Sequence, residues 1–349
     1  MEAEGSTIRA AVTSKHGGPE AITIEERPLP SPGPGEVRVR VRACALNHLD
    51  VWVRRGLPGS RFHVPIIGGA DISGEISALG EGVTDIAHGQ GVMVLPGVSC
   101  WSCPRCDAGE DHLCRSYGIL GESQDGGLAE EIVVSSRGVV PTPERLSWEE
   151  AAALSLSMLT AWHMLVGRAA LRSGETILVH GGASGVGSSA IQIAKHLGAT
   201  VIATAGSESK LEAARSLGAD HTIHYGEEDF VARVKELTSR RGADVIFEHV
   251  GGEVFERSLR CLAWAGRLVT CGATAGGTAQ VDLRHLFFKS QSLLGSTMGN
   301  RAEYLELVRL YEAGHFRPLI HDVLPLEKVG EAHRLLEERQ AIGKVVIRL

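Results

Sequence analysis

The pattern of hydrophobic and polar residues in the first 145 residues is that of short strands separated by turns. Residues 37–44, VRVRVRAC, alternate apolar and charged side chains with a period of two, which is typical of a half-buried strand. The segments 71–80 and 90–97 are also strand-like and are punctuated by glycines. This region therefore predicts a barrel-like or sandwich-like β domain.

A different pattern starts near residue 146. Residues 147–165 predict a helix that Ser147 can cap, with acidic residues in its first turn. Strand-like and helix-like segments then alternate, with strands at 176–180, 200–205, 244–250 and 267–272 and helices at 188–198, 210–218 and 229–239. Such alternation predicts a parallel sheet covered by helices on both faces. The chain then ends with two predicted helices and a strand, at 302–314, 327–338 and 344–349.

Length and composition indicate a globular protein with two domains. The 349 residues exceed what one hydrophobic core usually organises, and 43% are hydrophobic while 22% are charged. The net charge of -7 and the lack of a basic stripe argue against a nucleic-acid partner. Because no apolar run approaches the roughly 20 residues that span a bilayer, and the first residues show no signal-like pattern, we expect a cytoplasmic protein without a membrane partner.

The strongest candidate for chemistry is a glycine-rich turn between the strand at 176–180 and the helix that follows it. Unpaired N–H groups and the helix dipole at such a helix N-terminus attract the phosphates of a dinucleotide. A purely structural turn is the alternative, but the strand–turn–helix setting favours dinucleotide binding. The residues expected to contact the pyrophosphate are Gly182, Ala183, Ser184, Gly185, Val186 and Gly187, with Ser184 where the usual fingerprint has glycine.

The end of the next strand bears on the choice of cofactor. NAD sites place an acidic residue there, on the ribose 2′-hydroxyl, whereas this chain has Gly206 and Ser207. A 2′-phosphate would meet no carboxylate at the strand end, and Ser207 and Lys210 can hydrogen-bond or pair with it. The alternative is that Lys210 merely begins an exposed helix, and Glu208 nearby counts against a phosphate. We therefore expect NADPH as the cofactor, with NADH as the alternative.

Four of the seven cysteines are clustered, with the spacing C-x2-C-x2-C-x7-C. Four thiolates in a short loop can close a tetrahedron around zinc, and full coordination leaves no open position for a substrate. An iron–sulfur cluster and unliganded cysteines are the alternatives. We therefore expect one structural zinc ion per chain, in a lobe at about 97–116 and bound by Cys100, Cys103, Cys106 and Cys114.

Several motifs, taken in order, resemble the medium-chain dehydrogenase/reductase superfamily of zinc alcohol dehydrogenases and quinone oxidoreductases over essentially the full length. The four-cysteine lobe is similar to the structural zinc lobe of the alcohol dehydrogenases, and the glycine turn with Gln192 and Lys195 resembles the quinone oxidoreductase signature. The resemblance implies an α/β fold. A GroES-like β-rich catalytic domain is expected over 1–150 and 300–349, and a Rossmann cofactor domain with a doubly wound parallel sheet over 151–299.

The resemblance breaks down at the position of the catalytic zinc. The family's zinc enzymes carry Gly-His-Glu there, whereas this chain keeps Gly69 and has Ala70 and Asp71 in place of the metal-binding pair. The expected upstream cysteine is Asn47, and the expected third ligand is Leu156. Because alanine and leucine cannot ligate a metal, we expect no catalytic zinc.

The resemblance also implies where the other site residues lie, around a cleft between the two domains. Asn47 and Asp50 are expected at its floor and Thr160 near the nicotinamide, which makes these three the candidate catalytic residues. A cap that braces the turn is the alternative role for Asp50. Further cofactor contacts are expected at Tyr225, Val250, Gly272 and Lys344, with a solvated strand end as the alternative for the lysine. Candidate proton donors are His48, His63 and Tyr117, with water as the alternative.

Loss of the catalytic metal shifts the expected substrate toward conjugated acceptors. Reduction of a simple ketone produces an alkoxide that needs a Lewis acid, whereas a quinone or enone gives a delocalised oxyanion that hydrogen bonds can stabilise. We therefore expect an NADPH-dependent oxidoreductase of quinones, enones or other small carbonyl compounds. The alternatives are an alcohol dehydrogenase or aldehyde reductase, and a non-catalytic NADPH-binding protein. Residues 291–298 resemble the edge strand through which relatives pair, which predicts a homodimer, with a tetramer as the alternative.

Overall fold

The structure, a computed structural model, describes residues 5–57, 59 and 62–349. The chain divides into two compact units, one built from Met1–Leu156 with Asn300–Leu349 and the other from Ser157–Gly299. The first unit is therefore discontinuous in sequence, because the second unit is inserted between its two segments.

The helices and strands follow the chain in three stretches. The first stretch contains β1 (Thr7–Thr13), β2 (Ile22–Pro28), β3 (Glu36–Ala45), α1 (His48–Arg55), β4 (Ile66–Ile67), β5 (Asp71–Leu79), β6 (Gly91–Val94), β7 (Gly97–Val98), α2 (Pro104–Asp107), β8 (Gly118–Ile119), β9 (Glu131–Ser135) and β10 (Val139–Pro141). The middle stretch contains α3 (Trp148–Trp162), which a π-helical turn continues (His163–Arg168), then β11 (Thr176–Val179), α4 (Gly185–His196), β12 (Thr200–Ala205), α5 (Glu208–Ser216), β13 (His221–His224), α6 (Phe230–Leu237), β14 (Ala243–Glu248), α7 (Gly252–Ser258), β15 (Leu262–Thr270), α8 (Leu283–Phe288) and β16 (Ser292–Gly295). The last stretch contains α9 (Arg301–Glu312), β17 (Ile320–Pro325), α10 (Val329–Glu337) and β18 (Lys344–Arg348). In the part of the chain that the structure describes, no helix has both the length and the apolar character needed to cross a bilayer.

Strand β3 is central to the first unit. It pairs antiparallel with β5, β9 and β18 in a sheet of order β10-β6-β5-β3-β18-β17, and β2, β1 and β4 form a smaller sheet. The predicted strand is confirmed, and its alternate residues Val37, Val39 and Val41 are buried. Arg38 departs from the predicted alternation because it is only 2% exposed, and its charge is compensated by Glu131 at 2.9 Å.

The register of β18 and β5 on β3 brings distant parts of the sequence together. Val346 of β18 lies opposite Ala45 at the end of β3, so the start of β18 runs beside the segment that leaves β3. On the other side of β3, Asp71 at the start of β5 also lies opposite Ala45. This register places Lys344 and Asp71 on either side of the segment that leads to Asn47.

The second unit contains a sheet in which every pairing is parallel. Its order is β13-β12-β11-β14-β15-β16, so the chain builds one half outward from β11 and the other half outward from β14. The direction of winding reverses between β11 and β14, and doubly wound sheets bind ligands at the carboxyl ends of the strands at such a switch point. The predicted doubly wound parallel sheet is confirmed.

Several short elements have no counterpart among the predicted segments: the hairpin of β1 and β2, helix α1, strand β13 and helix α8. Strand β13 spans only His221–His224 and gains its conformation from parallel pairing with β12. Because such a strand depends on a partner that is distant in sequence, local periodicity does not reveal it.

Candidate functional site

The predicted glycine turn joins the end of β11 to the start of α4. Ser184 is the N-cap residue of α4, and its side-chain oxygen accepts a hydrogen bond from the Gly187 N–H at 3.0 Å. A side chain at Gly187 would overlap the carbonyl oxygen of Gly181, so this position requires glycine. The serine that replaces the usual glycine thus closes the turn itself. The first turn of α4 still offers the N–H groups of Gly185 and Val186, which have no intrahelical acceptor.

Gly182 and Ala183 form the buried part of the same turn. The Gly182 N–H donates to the carbonyl oxygen of Thr204 at 2.9 Å, which ties the turn to β12. A methyl group at Gly182 would lie 3.0 Å from the Ala203 side chain, and Ala183 is buried. These two residues therefore pack the turn onto the sheet.

Glu248 at the end of β14 is a site residue that the sequence analysis does not identify. Its buried carboxylate accepts hydrogen bonds from the Val250 N–H at 2.7 Å, the Gly251 N–H at 2.8 Å and the Thr270 hydroxyl at 3.1 Å. Burial raises the pKa of this carboxyl above its ordinary value, and the backbone hydrogen bonds oppose that shift. Glu248 therefore braces the turn at Val250. An acidic residue at the end of an apolar strand is the signal that could have identified it.

The ends of β11, β14 and β15 meet at one edge of this sheet. The Nε2 atom of His249 lies 2.9 Å from the His180 carbonyl oxygen, and a methyl group at Gly272 would lie 3.1 Å from the His249 carbonyl oxygen. Burial lowers the pKa of His180 to about 3 and also lowers the pKa of His249, so both rings are neutral near pH 7. The structure therefore brings the glycine turn, Val250 and Gly272 together at the switch point.

Gly206, Ser207 and Tyr225 form a second group of predicted cofactor residues, at the end of β12. A side chain at Gly206 would overlap the Tyr225 hydroxyl, so the half-exposed tyrosine lies directly against this glycine. Lys210 lies in the first turn of α5, where its N–H donates to the Ser207 carbonyl oxygen at 3.1 Å. The end of β12 is thus surrounded by the Ser207 hydroxyl, the Tyr225 phenol and the backbone end of the Lys210 side chain.

Asn47 and Asp50 cap helix α1 in the first unit. The Asp50 carboxylate accepts hydrogen bonds from the Asn47 N–H and the Gly69 N–H, both at 2.7 Å. Burial raises the pKa of Asp50 to about 6. Because both carboxylate oxygens serve backbone amides, Asp50 has the capping role that the sequence analysis leaves as the alternative. It acts on the candidate site by holding the segments at 47 and 69 together.

Lys344 lies beside Asn47 and Asp71, and its side chain is 5% exposed. Its ammonium donates to Asn47 Oδ1 at 2.6 Å and to Asp71 Oδ2 at 2.7 Å. The fully buried Asp71 carboxylate also accepts hydrogen bonds from Asn47 Nδ2 at 2.9 Å and from the Leu156 N–H at 2.6 Å. The bonds of Lys344 are therefore to these two side chains and not to bulk solvent, and its contact with the cofactor stays a prediction.

The other residues with predicted catalytic roles lie in different surroundings. Thr160 is in the second unit, where it is buried with its hydroxyl 3.9 Å from the Met298 sulfur. In the first unit, His48 and His63 are exposed, and Tyr117 lies in the cysteine lobe, where burial raises the pKa of its hydroxyl well above the ordinary value. A phenol with a raised pKa is a weak proton donor, so His48, His63 and water stay the predicted candidates for that role.

The four predicted metal ligands lie together between β7 and β8. The sulfur–sulfur distances are 3.9 Å for Cys100–Cys106, 3.6 Å for Cys103–Cys106, 3.8 Å for Cys103–Cys114 and 3.5 Å for Cys114–Cys100. A tetrahedron of Zn–S bonds of about 2.3 Å has edges of about 3.8 Å, so these positions fit a zinc ion with four thiolate ligands. The Ser102 backbone amide lowers the pKa of Cys100 to about 6, whereas burial raises the pKa of Cys106 to about 12.

Asp111 anchors this cysteine lobe within the first unit. Its carboxylate accepts the Arg301 N–H at 3.1 Å and 3.2 Å, and its carbonyl oxygen accepts the Ser99 hydroxyl at 2.8 Å. Arg301 is the first residue of α9, so the lobe also provides a hydrogen-bond acceptor for the N-terminus of that helix.

Comparison with protein families supports both halves of this description. Residues 33–144 match the family described as alcohol dehydrogenase GroES-like domain, and residues 185–313 match the family described as zinc-binding dehydrogenase. An NAD-dependent alcohol dehydrogenase of Sulfurisphaera tokodaii is 32% identical over 93% of this chain and 96% of that protein. The quinone oxidoreductase of Homo sapiens is 27% identical over 98% of both chains. A 2-haloacrylate reductase of Burkholderia sp is 30% identical over 97% of this chain and 98% of that protein.

Solved structures are similar over nearly the whole chain as well. The crystal structure of an NAD-dependent alcohol dehydrogenase is 47% identical, with a TM-score of 0.94 over 98% of this chain and 99% of that chain. A crotonyl-CoA carboxylase/reductase, AntE, in complex with NADP is 29% identical, with a TM-score of 0.91 over 99% of this chain and 95% of that chain. These findings confirm the GroES-like and Rossmann fold class. The chain is an NAD(P)H-dependent oxidoreductase that belongs to the medium-chain dehydrogenase/reductase superfamily.

Proposed function

We propose that this protein transfers a hydride from NADPH to a quinone, an enone or another small carbonyl compound without a catalytic zinc. The observation that carries the proposal is the chemistry of the residues at the expected zinc site. Asn47, Ala70 and Leu156 replace the expected ligands, and Asp71 is engaged by Lys344 and by a backbone amide. Within the described residues, the four-cysteine lobe is the one cluster of three or more His, Cys, Asp or Glu side chains suited to a metal.

The side chains at the expected zinc site indicate which class of substrate the protein can reduce. An amide and a hydrogen-bonded carboxylate form a poor site for zinc, so the residues at Asn47 and Asp71 do not fit a catalytic metal. Hydride addition to an enone or quinone places the charge on a delocalised oxyanion, which hydrogen-bond donors can stabilise. Conjugated acceptors therefore suit this site better than unactivated ketones.

The preference for NADPH is supported by the residues at the end of β12. NADPH supplies the hydride when bound, its pyrophosphate suits the N–H groups at the start of α4, and its 2′-phosphate suits Ser207, Lys210 and Tyr225. Glu208, the acidic residue nearest in sequence, pairs with Arg215 at 2.6 Å, further along α5. That pairing offsets the charge that would otherwise oppose a phosphate at this strand end.

The second candidate function is an alcohol dehydrogenase or aldehyde reductase that uses NADH. The observation in its favour is the 47% identity to a crystal structure described as an NAD-dependent alcohol dehydrogenase. A function of this class uses the same candidate residues but needs a stronger proton donor, because a simple alkoxide is more basic than an enolate.

Steady-state kinetics with a panel of substrates tests the proposal. We expect kcat/KM for 2-cyclohexenone and 1,4-benzoquinone with NADPH to exceed the values for simple aldehydes, and for secondary alcohols with NADP⁺, by about tenfold or more. NADPH should also be used more efficiently than NADH with the same acceptor. Preferred oxidation of alcohols with NAD⁺, or two zinc ions per chain by elemental analysis, would contradict the proposal in favour of the second candidate.

We also propose that the protein is a homodimer that pairs through the edge strand β16. This strand bonds to β15 at one edge of the parallel sheet, and an edge strand needs a partner or a cover. Exposed apolar side chains lie in the same unit, with Trp264 at 70%, Phe287 at 64% and Phe288 at 69% exposure. The Ala265 N–H donates to the Lys289 carbonyl oxygen at 2.7 Å, which joins the turn at Trp264 to the end of α8. These residues therefore form an apolar patch suited to a second copy.

Light scattering tests the dimer. The expected mass is twice the 37.1 kDa of one chain, and the double variant W264E/F287E should shift the molecule toward the monomer because it places charges in the buried face. A wild-type protein that remains a monomer at all concentrations measured would refute this assembly. Arg334→Glu, at an exposed position on α10 of the first unit, provides a control substitution of similar charge change.

A further inference from the structure

Asn47, Asp71 and Lys344 form a hydrogen-bond network in which the orientation of one amide is fixed by chemistry. The Lys344 ammonium has only donors, so the amide atom that it contacts at 2.6 Å must be the Asn47 oxygen. The Asp71 carboxylate has only acceptors, so the amide atom that it contacts at 2.9 Å must be the Asn47 nitrogen. A flipped amide would face a donor with a donor and an acceptor with an acceptor. The network therefore holds Asn47 in a single orientation.

The two charged members of the network are buried, whereas the amide is not. Asp71 is fully buried and Lys344 is 4% exposed, but Asn47 is partly exposed. An amide nitrogen carries two N–H groups, and Asp71 accepts one of them. Among the described residues, the second N–H of Asn47 donates to no acceptor. The buried ion pair of Asp71 and Lys344 thus leaves Asn47 with one oriented N–H group that can donate to a ligand.

We propose that Lys344 and Asp71 are positioning residues that aim the second N–H of Asn47 at the carbonyl oxygen of the substrate. This inference rests on the proposed function only in requiring that a carbonyl or conjugated carbonyl group is reduced. A bound nicotinamide cofactor would supply the hydride to carbon, and the oriented N–H of Asn47 would donate to the oxygen on which the negative charge then develops. Water, His48 or His63 then supplies the proton that completes the product.

The buried charges make this donor stronger as well as oriented. The ammonium that binds Oδ1 draws electron density from the amide, and chains of hydrogen bonds strengthen one another in a medium of low dielectric constant. Without the ammonium, Asp71 alone restrains the amide and Asn47 Oδ1 loses its charged partner, so the second N–H is less firmly aimed and less polar. Lys344 therefore affects the transition state through Asn47 and without contact to the substrate.

A double-mutant cycle tests this inference on whichever carbonyl substrate the wild-type enzyme reduces. We expect K344M to lower kcat by about 30-fold or more in the wild-type background, since loss of one oxyanion donor costs about 100-fold to 1,000-fold. In the N47A background the same substitution should lower kcat by less than about threefold, because the amide that it positions is already gone. If Lys344 acts only through Asn47, the KM for the nicotinamide cofactor should stay within about twofold of wild type in all three variants, whereas a large rise of that KM in K344M would show that the lysine binds the cofactor instead.

Two further variants separate positioning from support of the fold. K344R also offers only donors, so it should recover part of the kcat that K344M loses. The buried Arg38–Glu131 pair, at 2.9 Å in the same sheet, provides the matched control, and R38M should lower the melting temperature while kcat per folded molecule is unchanged. Because K344M leaves Asp71 buried without its cation, the variant D71N/K344M repeats the measurement with no lone charge.

Two results for kcat would overturn the inference that Lys344 acts through Asn47. Equal kcat losses from Lys344→Met in the wild-type and N47A backgrounds would show that the lysine does not act through the amide. An unchanged kcat in K344M would do the same. A wild-type enzyme that reduces simple aldehydes but no enone or quinone would contradict the proposed substrate class, and the cycle would then be read on the aldehyde.

Discussion

Replacing Cys103 with serine is expected to lower the zinc content from one ion per chain to none and to destabilise the first unit by about 3 kcal/mol or more. Three sulfur ligands remain after the substitution, but a hydroxyl is a weak substitute for the thiolate that closes the tetrahedron. Structural zinc contributes free energy directly to folding, because the unfolded chain has no preformed site. The measurements are elemental analysis of the purified protein and thermal unfolding.

The contacts of the lobe explain why loss of zinc should affect more than the cysteine loop. Asp111 lies between the third and fourth ligands, and its carboxylate accepts the first N–H of α9. Helix α9 buries Tyr304 and Tyr311, whose hydroxyls donate to the carbonyl oxygens of Val94 and Leu154 at 3.3 Å. A lobe that unfolds therefore removes a cap from a helix that belongs to the core of the first unit.

The control for this substitution is Cys271→Ser, in the second unit, which should keep its zinc. A C103S protein that retains one zinc ion per chain, or that melts at the wild-type temperature, would contradict the assignment of these four cysteines as a structural metal site. A destabilised C103S protein that contains zinc would instead show that Cys103 supports the lobe without binding metal.

The second large effect is expected for Gly187→Ala, which should weaken binding of NADPH by about 100-fold or more. The added methyl group would overlap the Gly181 carbonyl oxygen and would lie 2.9 Å from the Ser184 hydroxyl. Backbone at this distance cannot move without opening the turn, and the turn positions the N–H groups that receive the pyrophosphate. Quenching of protein fluorescence on titration with NADPH measures the affinity.

Gly277→Ala is the matched control, because a methyl group at Gly277 would contact nothing within 4 Å and the residue is in the same unit. We expect its affinity for NADPH to stay within about twofold of wild type. The zinc content of both variants should remain one ion per chain, since the cysteine lobe is in the other unit. An affinity for NADPH that is unchanged in G187A would show that the dinucleotide does not bind at this turn.

Much of the fold could be predicted from the sequence because its long elements carry their own periodicity. The alternation in VRVRVRAC predicts β3, and the strand–helix alternation after Glu175 predicts the parallel sheet. Arg38 shows the limit of that reasoning, since a charged residue on an outward position becomes buried when the fold supplies Glu131 as its partner. The sequence pattern shows that residue 38 is charged, but it does not show that the fold places Glu131 beside it.

The candidate site was less predictable than the fold, because many of its contacts join residues that are distant in sequence. The residues of the glycine turn lie close together in sequence, and so do the four cysteines. Their spacing alone therefore predicts a dinucleotide site and a metal site. The network of Asn47, Asp71 and Lys344 is assembled by the pairing of β5 and β18 with β3, and nothing in the local sequence records that pairing. Glu248 was missed because its role depends on two backbone amides and a hydroxyl that the fold brings to it.

The pairing of β18 with β3 has a consequence for the time at which the enzyme becomes competent. Asn47 and Lys344 are separated by 297 positions, and the whole of the second unit is synthesised between them. Domains fold as units during translation, so the dinucleotide-binding unit can form on the ribosome while the first unit still lacks its final strand. The second unit can therefore fold before Lys344 has been synthesised and can contact Asn47, so competence follows the synthesis of β18.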